Sequence, residues 1–185
     1  MGYVIAVVVI VLVVGFGVVA FNKLRRADIK AQEALGGIDV QLTRRADLVP
    51  NLVETVKGYA SHEKTVFEQV TAARTGVTRA AASGTVEQKA AAAAALDKAV
   101  VNVLAVAENY PELKASANFL DLQQQLADTE NQLAFARQYY NDAAATLNTA
   151  VATIPWMFFA GMAGVHPRDF YQAPAGNEAP PAVAF

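Results

Sequence analysis

At 185 residues, with a net charge of −2 and no cysteine, the chain offers one domain's worth of sequence beyond any membrane segment. The near-neutral charge excludes the broad basic field of a nucleic-acid binder. The lack of cysteine excludes disulfides, thiolate metal sites and cysteine nucleophiles. Hydrophobic residues make up 54% of the chain, concentrated in an N-terminal apolar run and an abundance of alanine.

From Tyr3 to Phe21 the sequence carries no charge, and Lys23, Arg25 and Arg26 follow at once. A helix needs roughly 20 apolar residues to cross a bilayer core, so this run is just long enough. A cleavable secretory signal would need a basic start, a shorter apolar core and a small-x-small cleavage site. Met1-Gly2-Tyr3 supplies only the terminal amine, and Val18-Val19-Ala20-Phe21 is a poor cleavage site. The pattern therefore predicts a membrane anchor over residues 1–22. Its basic flank (Lys23, Arg25, Arg26, Lys30) predicts a single-pass protein with the N-terminus outside and the body in the cytoplasm.

Behind the anchor no alternating, β-branched run bounded by turns occurs, so the body, residues 23–153, is predicted all-α. Helix A continues out of the membrane from Asn22 to about Lys57, where Gly58 is placed like the residue that ends a helix. Its seam runs Leu35, Ile38, Leu42, Arg45, Val49, Leu52, Val56 and stays in phase through Tyr59 and Val66. That phase argues for one helix across Gly58, whereas balanced helix lengths argue for a break, which we prefer. Ser61 is then placed to cap helix B, with Glu63 in its first turn. Val66, Val70, Ala73 and Val77 form the apolar face of B, which fades around Ala82. Thr85-Val86-Glu87-Gln88 fits a capping box opening helix C, whose run Ala90 to Ala95 favours helix. Helix C ends before Tyr110-Pro111, because the residue preceding a proline avoids helical geometry. Helix D starts near Pro111, a suitable first-turn residue.

Helix D carries the clearest pattern. Phe119, Leu122, Leu126, Thr129, Leu133, Ala136, Tyr140, Ala143, Leu147, Ala150 and Ile154 alternate steps of three and four, a coiled-coil-like seam that faces partner helices. At about 1.5 Å per residue, A beyond the membrane spans roughly 50 Å, B and C about 35 Å each and D about 60 Å. These lengths close as an N-terminal transmembrane helix continuing into an up-and-down antiparallel four-helix bundle, which returns the end of D to the membrane. The next segment, residues 154–171, includes Trp156, Phe158 and Phe159. It is too short to span and reads either as a membrane-interface segment or as a lid over the open end of the bundle. Residues 172–185, rich in Pro, Ala, Gly and Asn, read as a disordered tail.

Catalytic and metal-binding signatures are missing. His62-Glu63-Lys64-Thr65-Val66 begins like the zinc-protease helix motif but lacks its second histidine, and no Glu-x-x-His pair of a di-iron bundle occurs. No catalytic residue, metal ligand, cofactor or small-molecule substrate is predicted, and the chain reads as non-enzymatic. The polar residues fall into another pattern. Arg44, Arg45 and Asp47 sit beside Pro50-Asn51, with Arg45 on the seam of helix A. On helix D, Glu130, Arg137 and Asn141 line up next to the seam, near Tyr140. A charge on a bundle seam must be paired or solvated, so Arg45 or Arg44 is expected to meet Glu130. Such pairs set register; the alternative is a partner-contact surface that also includes Glu63.

These residues carry a resemblance. Arg44-Arg45-x-Asp47-Leu48-x-Pro50-Asn51-Leu52-Val53, then Val56-Lys57-Gly58-Tyr59-Ala60-x-His62-Glu63, then Ala73-Arg74, Tyr110-Pro111-x-Leu113-Lys114 and Glu130-Asn131 through Arg137-x-x-Tyr140-Asn141 resemble the LemA family of bacterial membrane proteins. The resemblance runs from the anchor to Phe170, loosest in the Ala-rich helix C and the Pro-rich tail. It implies a single-pass anchor carrying an up-and-down helical bundle, a likeness to magnetosome-associated membrane proteins, and no catalytic residues.

Two functions are expected from the sequence. The first is a structural protein that binds the lipid bilayer and self-associates as a homo-oligomeric scaffold. The second is a membrane-tethered sensor or adaptor presenting the bundle to a protein partner such as a protease or stress-response factor. Long regular helices and the tight packing implied by an Ala-rich helix favour the first.

Overall fold

The computed structural model describes residues 1–172, and the expected disordered tail lies almost wholly outside the described residues. Among these residues the chain forms six helices and no strand: α1 (Gly2–Lys57), α2 (Lys64–Ser83), α3 (Val86–Ala107), α4 (Pro111–Lys114), α5 (Ala117–Ala152) and α6 (Met157–Ala163). They divide into two compact units. One, the anchor unit, combines residues 1–36 with 138–170, and the other, the bundle unit, combines 37–137 with 171–172.

The bundle unit is built from the C-terminal part of α1, from α2 and α3, and from the N-terminal part of α5. Polar contacts between helices give their directions. Arg74 on α2 reaches Ala46 on α1, and the turn between the two helices falls midway between these residues, so α2 runs back along α1. Lys89 meets Asp39 and Asp97 meets Arg45, both pairs ascending in number, so α3 runs parallel to α1. Arg44 meets Gln132 and Arg45 meets Glu130, descending along α5, which is antiparallel to α1. This is the expected up-and-down order. The core contains Ile38, Leu42, Val49, Leu52 and Val56 from α1, Phe67, Val70 and Val77 from α2, Leu96, Val100 and Val103 from α3, and Phe119, Leu122, Leu126 and Leu133 from α5.

The connections follow local chemistry, with four corrections to the sequence reading. α1 ends at Lys57, but Gly58 does not cap it in a left-handed conformation; Gly164 is the only glycine with positive φ among the described residues. The chain turns instead through Tyr59 N–H and Ala60 N–H, both donating to Val56 O at 3.0 and 2.9 Å. Ser61 does not cap α2: the N-cap position belongs to Glu63, with no side-chain hydrogen bond, and α2 starts at Lys64. On α2 Phe67 takes the inward position, so that Val66 and Ala73 are half-buried. A break at 115–116 splits the expected helix D into α4, one turn led by Pro111, and the long α5. The predicted capping box is present: Thr85 Oγ1 accepts from Gln88 N–H, and Gln88 Oε1 accepts from Thr85 N–H. α3 is also apolar enough by composition to cross a membrane, yet it carries Lys89 and Asp97 and packs its seam into the bundle unit.

The anchor unit centres on the N-terminal part of α1. Residues Val4 to Val19 of its apolar run are almost wholly exposed, as a helix meant for lipid must be, with its backbone hydrogen bonds closed internally. This helix is long and apolar enough to cross a membrane. Farther along, Ala20, Leu24, Ala31 and Ala34 of α1 are buried, as are Tyr140, Ala143, Ala144, Leu147 and Ala150 of α5. The seam predicted for helix D thus holds through Ala150, with Ala136 half-buried, and fails at Ile154, which is exposed. Past α5 the axis turns by 109° into α6. Gly164, with φ of 63°, ends α6, and Val165 N–H donates back to Ala160 O.

Candidate functional site

Two constellations stand out, one in each unit. In the bundle unit, Arg45 lies on the buried seam of α1 and is only 8% exposed. A guanidinium there must be matched by anions, and two carboxylates converge on it. Asp97 Oδ1 from α3 lies 2.5 Å from its Nη1, and Glu130 Oε2 from α5 contacts the same nitrogen. The other oxygen of Glu130 takes Arg137 Nη1 at 3.2 Å, one α5 turn-pair away, and the Arg137 guanidinium lies 5.2 Å from the ring of Tyr171. Two cations and two anions therefore close a neutral network across three helices.

The network carries its own tension. Burial pushes the Asp97 carboxyl above the ordinary carboxylate range despite Arg45, and the neighbouring Glu130 charge adds to the rise. Burial likewise raises the phenol of Tyr171 against the pull of Arg137. The Nε atoms of Arg45 and Arg137 find no hydrogen-bond partner among the described residues. A buried ionic network that is not fully satisfied adds little net stability and instead fixes which groups must meet. An open groove of about 380 Å³ runs beside it, lined by Val100, Val101, Leu104 and Leu126 along with Arg45, Asp97 and Glu130.

A second feature of this unit concerns Pro50. Pro50 sits inside α1 and has no N–H, so the carbonyl four residues earlier, Ala46 O, loses its helical donor. Arg74 Nε supplies the missing donor from α2 at 3.0 Å. Ala46 is buried, and an unpaired carbonyl there would be costly. Proline and arginine thus work together to lock α2 against α1.

In the anchor unit the constellation is aromatic. The Trp156 ring stacks on Phe16 with centroids 5.8 Å apart, and Phe159 meets Phe16 edge-on at 5.8 Å. Lys23 Nζ lies 4.0 Å from the centroid of the Trp156 ring, a cation–π distance. The chain that follows is held by Arg168, which donates to Asp28 Oδ1 from Nη2 at 2.8 Å and from Nε at 3.1 Å, while Asn148 exchanges two hydrogen bonds with the Arg168 backbone. Tyr140 O–H donates to Asp169 O at 2.7 Å, and burial raises its phenol above the usual value.

Of the residues singled out by sequence, the structure brings Arg45, Glu130 and Arg137 together, and Lys23 with Trp156, while Phe159 shares Phe16 with Trp156. Others stand apart. Arg44 is exposed and donates to Gln132, Asp47 and Asn51 are exposed, Glu63 heads α2, and Asn141 and Tyr140 belong to the anchor unit. Arg25 pairs with Asp28 at 3.6 Å, Arg26 is exposed, and Phe158 points outward. Sequence reasoning missed Asp97, Lys89, Arg74, Asp28 and Arg168. The signal for Lys89 was available: it falls in phase with Ala93, Leu96, Val100 and Val103, the buried stripe of α3.

An apolar N-terminal helix, a bundle with its charges paired inward and an aromatic contact beside the apolar run define a membrane-associated helical-bundle protein. Comparison with known proteins makes this specific. The LemA family model matches residues 34–185, and the chain belongs to the LemA family. It is similar to the magnetosome protein MamQ of Magnetospirillum gryphiswaldense, 26% identical over 171 residues covering 80% of this chain and 63% of that one. It is also similar to magnetosome protein MamQ 2 of Paramagnetospirillum magneticum, 26% identical over 163 residues, 75% of this chain and 60% of that one. The chain thus spans less than two thirds of the length of these relatives.

Proposed function

We propose that this LemA-family protein is a non-enzymatic scaffold, anchored by α1 in the bacterial inner membrane with its bundle in the cytoplasm, that self-associates as a homo-oligomer. The observation that carries the reading is how the bundle unit uses its polar side chains. Arg45, Asp97, Glu130 and Arg137 neutralise one another, Lys89 binds Asp39 and Ala81 O, and Arg74 repairs the proline gap. These charged groups are committed to holding helices in place. Phe135, 77% exposed on α5, offers an apolar contact for a second copy, since a large exposed aromatic favours burial against a partner. The likeness to proteins named for the magnetosome supports work at a membrane.

The test is the mass and shape of the purified full chain in mild detergent and in lipid nanodiscs. A defined oligomer that dissociates on Phe135→Glu supports the scaffold. A monomer in both media overturns it and favours the adaptor. Orientation is tested separately, because the native chain has no cysteine. A Ser83→Cys variant in intact cells should resist a membrane-impermeant maleimide and react after permeabilisation; efficient labelling of intact cells would reverse the topology.

A further inference from the structure

α6 is seven residues long, about 10 Å, far too short to span a bilayer. Its two faces differ sharply. Ala160 and Ala163 are buried, whereas Met157, Phe158 and Met162 are 44%, 70% and 72% exposed, and Ile154 just before the helix is 73% exposed. A contiguous apolar face of this kind needs cover.

What covers it follows from where α6 is attached. Trp156 and Phe159 rest on Phe16, and Phe159 lies close to Gly17, where an added side-chain carbon would stand 3.5 Å from its ring. Phe16 and Gly17 belong to the charge-free run, whose surface from Val4 to Val19 is apolar and, Gly17 apart, exposed. The apolar face of α6 therefore continues the lipid-facing surface of α1. The depth is bounded from the other side by Lys23, whose ammonium reaches the Trp156 ring and must stay near water. Lys23 lies seven residues beyond Phe16, about 10 Å along the helix, so α6 lies within one leaflet.

The direction of α6 fits this depth. Within the anchor unit α5 runs antiparallel to α1, with Tyr139 near Lys30 and Trp156 near Phe16 and Lys23. A turn of 109° then lays α6 across the axis of α1. Left-handed Gly164 reverses the chain, and Arg168 bound to Asp28 returns it to the polar side. We propose that α6 is an in-plane membrane helix, inserted into the leaflet next to Lys23 with Ile154, Met157, Phe158 and Met162 against acyl chains. Trp156, clamped between Phe16 and Lys23, fixes its depth. Amphipathic helices hold the interface in this way, and Trp favours that level. The proposal rests on α1 spanning the membrane.

Trp156 is the only tryptophan, so its fluorescence tests the proposal in the unaltered full chain. Reconstituted in phosphatidylcholine–phosphatidylglycerol vesicles, Trp156 should lose most of its emission to lipids brominated near the headgroup. Lipids brominated near the chain ends should quench it far less. Single cysteines at Leu12, Phe158 and Gln138, each carrying an environment-sensitive dye, complete the set. Leu12 should be quenched mainly by the deep bromines, Phe158 mainly by the shallow ones, and Gln138 by neither. If Leu12 is quenched while Trp156 and Phe158 are not, another protein surface covers α6 and the proposal is overturned with the anchor intact. If Phe158 is quenched as deeply as Leu12, α6 enters the bilayer core and does not lie in plane. If Leu12 escapes quenching, the span itself fails and the proposal falls with it.

Discussion

The contact between Arg74 and the proline-orphaned carbonyl of Ala46 makes a quantitative prediction. Replacing Arg74 with Met removes the donor 3.0 Å from Ala46 O and keeps most of the aliphatic bulk. Ala46 is 2% exposed, so its carbonyl has little access to water. A buried acceptor left unpaired costs about 1–3 kcal/mol. Because Arg74 itself is half-buried, water can partly replace the guanidinium, which places the expected loss near 1.5 kcal/mol. Pro50→Ala should act in the opposite direction. It restores an N–H at position 50 for Ala46 O and relieves a residue about 3 kcal/mol less favourable than Ala in a helix interior; because the tertiary contact already offsets part of this, a gain of about 1 kcal/mol is expected. The decisive quantity is the coupling. With Pro50→Ala in place, Arg74→Met should cost under about 0.5 kcal/mol, a coupling near 1 kcal/mol between residues 24 positions apart. Guanidinium unfolding of the four full-length variants in detergent, followed by far-ultraviolet circular dichroism, measures it. Equal losses from Arg74→Met in both backgrounds would show that Arg74 does not serve the proline gap.

Other positions yield predictions of the same kind. Gly58→Ala should change stability by no more than about 0.5 kcal/mol, because its φ is not positive and the added carbon would lie 3.5 Å from Thr55 O; a loss above about 1 kcal/mol in denaturant unfolding would mean a left-handed cap after all. Thr85→Ala removes half of the capping box and should cost about 1 kcal/mol, a loss read as a lower unfolding midpoint and refuted by an unchanged one. The Asp97 carboxyl, raised by burial from its ordinary 3.8, binds its proton more tightly folded than unfolded. Its contribution is therefore fully present below pH 3.8 and is lost as pH rises through the raised value. Between those limits the stability of the native chain relative to Asp97→Asn should fall with rising pH, and a relative stability that rises instead would reverse the assignment. Lys89→Asp or Asp39→Lys alone should each destabilise the bundle by about 2 kcal/mol or more through an unpaired buried charge, whereas the double swap should recover most of the loss; no recovery would show that the pair does not act through its mutual attraction.

The legible parts of the fold were those written in periodicity. The seam from Phe119 to Ala150 predicted α5 because a stripe at steps of three and four has one stable use, burial against neighbouring helices. Arg45 on the α1 seam led to Glu130 because a charge on a buried stripe requires an opposite one. What escaped was decided between helices. Asp97 sits one residue past Leu96, off the buried stripe of α3, and only packing turns it toward Arg45. The donor for Ala46 O was equally hidden: Pro50 announces the gap, but nothing in the sequence says that an arginine 24 residues on fills it. The break at Ala115–Ser116 went unread since neither residue is a strong helix breaker, and Ser61 failed as a cap because the turn closes through backbone bonds to Val56 O first.

The two charge pairs at the ends of the alanine run show why a bundle of this composition needs buried ions. Leucine and isoleucine interlock with the helices they face, so a register shift opens cavities and is penalised. Alanine offers a smooth surface, and the stretch from Ala90 to Ala95 gives α3 little steric grip along its axis. Lys89 and Asp97 bracket that stretch and bind Asp39 and Arg45 of the same helix, α1. The charges alternate in sign along each helix. Sliding α3 by about two turns toward the C-terminal end of α1 would bring Lys89 opposite Arg45, replacing an attraction with a like-charge contact in a partly dry interior. The same alternation opposes reversing α3, which would set Lys89 against Arg45 and Asp97 against Asp39. Polar groups in a core gain little stability over well-packed apolar ones, but they discriminate between registers that apolar surfaces cannot tell apart. Glu130 and Arg137 extend the discrimination to α5 by sharing the Arg45 charge. In the bundle unit the ion network therefore supplies the specificity that its small side chains lack.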